Sequence, residues 1–142
     1  MLGRKTYERE ELDDGRQAIG HQLDAYRRLA AAVERTHDGE ARAALQGFEP
    51  GFANTLVLAL DRTYVHRLRA VTGKDGNPLN EVRILVDSLI EHGGVMTANS
   101  TINLKPEESV LGYEFGDRIE VGAKGFERLA DGFFAEIASR FR

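Results

Sequence analysis

Between Ala123 and Phe141 the apolar residues Phe126, Leu129, Ala130, Phe133, Phe134, Ile137, Ala138 and Phe141 recur at i, i+3, i+4 and i+7. That period belongs to one face of an α-helix and to no strand. Four of the seven phenylalanines lie in this stretch, so the helix must be central to whatever core the chain builds. Three more segments share the pattern. Leu12, Ile19, Leu23, Tyr26, Ala30 and Val33 predict a first helix that starts between Thr6 and Asp14 and ends near Thr36. Ala53, Leu56, Val57, Leu60, Tyr64, Leu68 and Val71 predict a helix over Phe52–Val71, with a short helix at Glu40–Gly47 before it and Pro50 at or before its first turn. Leu79, Val82, Leu85, Val86, Leu89 and Ile90 predict a third, opened by Asn77 as cap and Pro78 as first helical residue, and stopped by Gly93-Gly94. Ile84 then stands alone on that helix's polar side.

Short connections between these segments favour antiparallel neighbours. The expected fold is a mainly α, single-domain bundle of four to five helices over residues 1–142, with residues 1–10 frayed. The period breaks down near 95–121, where a small β-hairpin or irregular insertion is expected, with a turn of helix opening at Pro106. Gly15 and Gly20 weaken the first helix, each costing about 1 kcal/mol against alanine.

Composition narrows the function classes. The longest strictly apolar run is Leu56–Leu60, far short of the ~18 residues a membrane span needs. The acid-rich N-terminus carries no apolar signal core. The absence of cysteine removes disulfides, thiolate nucleophiles and cysteine-bound zinc. A formal charge of −4 leaves no general positive face for a nucleic-acid backbone. These features predict a soluble cytoplasmic protein with no membrane or nucleic-acid partner.

Polar chemistry concentrates between Asp61 and Arg83, where five Arg/Lys face three Asp/Glu. If Phe52–Val71 is one helix, Arg62, His66 and Arg69 fall within about 60° of each other on its outer side. A turn at Gly73-Lys74-Asp75-Gly76 would bring Lys74, Asn77, Asn80 and Glu81 to the same corner. Arg62, His66, Arg69, Lys74, Asn77, Asn80 and Glu81 are therefore the candidate ligand-binding residues, suited to an anion or carboxylate near a helix start. The competing reading is a capped corner held by an Arg69–Glu81 ion pair and an Arg83–Asp87 pair.

Other constellations are thinner. Glu34 and His37 have the carboxylate–histidine spacing of di-iron bundles, yet no second Glu-x-x-His accompanies them, so no metal ligand or cofactor is assigned. Ser100, Thr101 and Ser109 lack a nucleophile elbow, and Gly73-Lys74-Asp75-Gly76 meets neither phosphate-loop template. No catalytic residue is assigned, and whether the chain is an enzyme stays open.

Tyr64–Gly94, together with Leu104-Lys-Pro-Glu-Glu-Ser-Val-Leu-Gly112 and Gly116-Asp117, resembles small conserved bacterial proteins of unassigned function. The resemblance covers the C-terminal two-thirds and implies no substrate, cofactor or catalytic residue. Two functions follow from the residues: a helical module acting by self-association, as a homodimer, or through a protein partner; alternatively, a small-anion binder or enzyme using the 61–83 corner.

Overall fold

The computed structural model describes residues 3–141, which form a bundle of five helices with no sheet among them. These are α1 (Arg9–Thr36), α2 (Gly39–Thr63), α3 (Arg69–Thr72), α4 (Pro78–Glu91) and α5 (Gly122–Arg140). α5 packs against α1, α2 and α4, and α2 against α1 and α4. The fully buried Phe126, Leu129, Phe133 and Ile137 of α5, with Phe141 just past its end, lie at the centre of one continuous core. The Tyr64 ring, just beyond α2, meets Phe133 at 5.7 Å and Phe134 at 5.8 Å.

α1 begins where its sequence allows reciprocal capping. The Glu8 carboxylate accepts from the Glu11 backbone, and the Glu8 N–H donates to the Glu11 carboxylate at 2.8 Å. It buries the expected Ile19, Leu23 and Tyr26 and ends with His37 in the left-handed region, φ 55°. Asp38 then caps α2, its Oδ1 accepting from the N–H groups of Glu40 and Ala41.

α2 departs from expectation at both ends. It runs through Pro50 as one helix rather than restarting there. The proline removes one ladder bond, a cost of about 3 kcal/mol in a helix interior, which Asp38's cap and the burial of Ala53, Leu56, Val57 and Leu60 offset. It also stops at Thr63 rather than Val71. Tertiary pairing replaces the helical ladder there: the Arg4 N–H donates to His66 O at 2.6 Å, and the Leu68 N–H donates to Arg4 O at 2.8 Å. The segment after Gly3 is thus tied down rather than frayed, and Tyr7 N–H donates to Phe141 O. Residues 1–2, part of the frayed stretch the sequence predicts, lie outside the described residues.

α4 starts as the sequence requires, with Asn77 Oδ1 accepting from the N–H groups of Leu79 and Asn80. Its exposed apolar residue is Ile90, 67% accessible, and not Ile84, which is buried. Asn80, Ile84 and Ser88 share an i, i+4 strip of α4. Ser88 Oγ accepts from Thr97 N–H at 2.9 Å, so the chain after Val95 covers that strip. No hairpin forms over 95–121. An isolated antiparallel bridge joins Val95 to Arg118, and a 3-10 turn at Pro106–Glu108 occupies the middle.

The two α1 glycines differ in kind. A Cβ on Gly15 would collide with the Tyr64 hydroxyl, which is buried without a hydrogen-bond partner among the described residues; Gly20 faces open space. Gly20→Ala should therefore raise stability by about 0.5–1 kcal/mol through helix propensity. Gly15→Ala should instead lower it by roughly 1–3 kcal/mol through overpacking. Urea midpoints of the two variants shifting the same way would sink this explanation.

A candidate anion-binding cleft

The turn that interrupts the expected long helix opens a cleft of ≈ 560 Å³ between the end of α2, α3, α4 and Thr101–Ile102. Asp61, Arg67, Arg69, Lys74, Arg83 and Asp87 supply its charges, an excess of two positive. Val65, Ala70 and Ile102 supply apolar lining.

The four cations are held differently. Arg67 has a side chain only 8% exposed. It donates to Asp61 Oδ1 at 2.8 Å, to Tyr64 O at 2.9 Å and to Leu79 O at 3.4 Å. Its guanidinium also stands 5.3 Å over the Phe133 ring. Its charge is committed to the fold. Arg83 approaches Asp87 at 3.9 Å, a loose i, i+4 pair. Burial first, and the neighbouring Arg69 charge second, push the Arg83 pKa down. Burial also raises the Asp87 carboxyl, against the pull of Arg83. Arg69 and Lys74 are exposed, and among the described residues neither has a carboxylate within 4 Å, the ion-pair limit.

The rim carrying Lys74 is locked from three sides. Asn77 Nδ2 donates to Thr72 O and Asp75 Oδ1, both at 2.9 Å. Asn80 Nδ2 donates to Asp75 O at 2.7 Å and Gly73 O at 3.2 Å. Arg140 of α5 reaches Thr72 O at 2.8 Å and Asp75 Oδ2 at 3.3 Å. Gly73, at φ 80°, makes the turn that these bonds require. The Asn103 N–H donates to Lys74 O at 2.8 Å, seating the 101–103 segment beside the rim.

Of the seven sequence-predicted site residues, Arg69, Lys74 and Asn80 line the cleft. Arg62 and His66 are exposed and lie outside its lining, because α2 ends before it can align them with Arg69. Asn77 is buried and spent on its cap and loop. Glu81 is buried on another side of α4, where its oxygens accept from the Val110 N–H at 2.8 Å and the Leu111 N–H at 3.0 Å. The expected Arg69–Glu81 pair is absent among the described residues; the expected Arg83–Asp87 pair is present. Sequence reasoning missed Arg67, whose spacing of six from Asp61 fits no helical pairing. It also missed Thr101 and Ile102, which a distant irregular segment delivers.

Chemically, the lining offers guanidinium and ammonium donors, suited to phosphate or carboxylate oxygens. The Thr101 hydroxyl is turned onto Asn99 Oδ1 at 2.6 Å. Away from the cleft, Glu34 is paired with Arg42 at 2.8 Å. Among the described residues no group of three or more His, Asp or Glu gathers as metal ligands, and no helix is long and apolar enough to cross a membrane. The described residues thus form an all-α bundle with a cationic cleft at the end of α2. No family model, curated protein or solved structure matches the chain.

Proposed function

We propose that this protein binds a small anionic ligand, carrying phosphate or carboxylate, in the cleft between α3 and α4. The observation that carries this reading is that Arg69 and Lys74, without carboxylate partners of their own among the described residues, line the same cleft as the weakly paired Arg83. Its volume lies within the range of about 300–1,000 Å³ typical of small-molecule sites. Calorimetric titration with inorganic phosphate and with succinate tests it. Each charge-assisted contact is worth about 1.5–3 kcal/mol, so Arg69→Ala should weaken binding at least about tenfold. Arg62→Ala should leave it unchanged, since Arg62 stands outside the lining. Equal losses in both variants, or no heat in wild type at millimolar ligand, would remove the cleft from consideration.

A second reading, homodimerisation, has its own observation. Ile84 and the α5 aromatics are buried and available to no partner, but Leu29 (50% exposed) and Phe48 (52% exposed) lie on the long α1–α2 hairpin. Phe48 stacks on Phe52 at 5.3 Å, and Phe52 on Tyr26 at 5.6 Å, so the exposed ring is part of an ordered ladder. Exposed apolar clusters of this kind favour two-fold association. Light scattering at high micromolar concentration should give twice 15.8 kDa, and Phe48→Glu should return the monomer. A wild-type monomer under those conditions would dismiss the dimer. In both readings the protein works as a soluble cytoplasmic module.

A further inference from the structure

Resting on the anion-binding reading, we infer that the ligand is an amphiphilic dianion: a doubly charged phosphomonoester or dicarboxylate head joined to an apolar substituent. The head follows from charge. Arg67 is neutralised by Asp61, and the cleft retains an excess of two positive charges among Arg69, Lys74 and Arg83. A dianion balances that excess, and it relieves the repulsion between the Arg69 and Arg83 guanidiniums, which the Asp87 and Asp61 carboxylates offset only in part at Arg83. A monoanion leaves one cation unmatched.

The substituent follows from space and lining. A phosphate or carboxylate group occupies a small part of ≈ 560 Å³. Much of the remaining wall is Val65, Ala70 and Ile102. Val65 and Ala70 are exposed in a cleft otherwise rich in charge, so they are wetted apolar surface that a hydrocarbon or aryl group would cover. Arg67, itself part of the lining, is pinned by Tyr64 O, Leu79 O and the Phe133 ring. The lining thus offers a partner to each end of such a molecule.

Titrations at pH 8 with inorganic phosphate, phenyl phosphate and the monoanionic methyl phenyl phosphate separate the parts of this inference. Phenyl phosphate should bind about tenfold tighter than inorganic phosphate, as burial of an aryl face implies, and should also outbind the methyl ester. The double variant Val65→Ser, Ala70→Ser changes only exposed positions. It should lose the advantage of phenyl phosphate while keeping the affinity for inorganic phosphate. Equal affinity for phenyl and inorganic phosphate would overturn the amphiphile and leave anion binding standing. Equal affinity for phenyl phosphate and its methyl ester would overturn the dianion. No binding of inorganic phosphate and no dependence on Arg69 would overturn the underlying reading as well. The same head occurs on soluble esters and on phosphatidic acid. Sedimentation with phosphatidic acid vesicles, abolished by Arg69→Ala, assigns the lipid source; no sedimentation alongside tight phenyl phosphate binding assigns a soluble one.

Discussion

Phe133→Ala is expected to lower the unfolding free energy by about 3–5 kcal/mol, the range for emptying a fully buried aromatic site. The ring has no exposure, touches Tyr64 at 5.7 Å and Phe134 at 5.8 Å, and lies under the Arg67 guanidinium. Its neighbours come from α5, the turn after α2, and Arg67, so no single element can relax to fill the void. The loss should reach the cleft too, since Arg67 is one of its walls. Urea denaturation followed by circular dichroism measures the effect. A change under about 1 kcal/mol would mean that α5 is not the centre of the core.

Glu81→Ala is the second large loss, about 3 kcal/mol. It strands the part-buried N–H groups of Val110 and Leu111, both of which donate to the Glu81 carboxylate. Glu81→Gln removes the titration together with one of the two acceptor oxygens, so the pH dependence of its difference from wild type, not the size of that difference, reports the charge. Burial, outweighing the two backbone bonds and the nearby Arg128, raises the folded-state pKa of Glu81 above its ordinary 4.5. An acid with a raised folded pKa binds its proton more tightly when folded. Its contribution is fully present below the unfolded pKa and is lost as pH rises through the folded value. The stability of wild type minus that of Glu81→Gln should therefore fall as pH is raised from about 4 toward neutrality. Chemical denaturation at several pH values, with a difference that grows instead, would reverse the sign of this account.

The legible parts of the fold were those that local chemistry decides. Asn77-Pro78 marked the start of α4 because cap and first-turn proline act within three residues. The stripes of α1 and α5 named their buried faces because periodicity alone sets them. What escaped was decided across the molecule. α2 ends at Thr63 because residues near Arg4 take over the backbone bonds of 66–68. Ile84 is buried because the chain after Val95 folds over it, held by Ser88. Glu81 looked like a partner for Arg69, yet its partners lie about thirty residues on.

The candidate site divides in the same way. Arg69, Lys74 and Asn80 were readable as a polar corner beside a helix start. Arg62 and His66 were grouped with them only by assuming an unbroken helix. Thr101 and Ile102 carry no local mark of the cleft, and Arg67 gains its place from a turn that only the tertiary pairing creates.

The central claim is that Arg69 and Arg83 jointly hold an anion. The most direct measurement is NMR of the arginine Nε–Hε resonances during titration with inorganic phosphate. The account expects Arg69 and Arg83 to shift together along one binding curve, with Arg62 unmoved and with the Arg83 shift lost in the Lys74→Ala, Arg69→Ala double variant. Shifts of Arg62 equal to those of Arg69, or an Arg83 signal indifferent to phosphate at millimolar concentration, would contradict it.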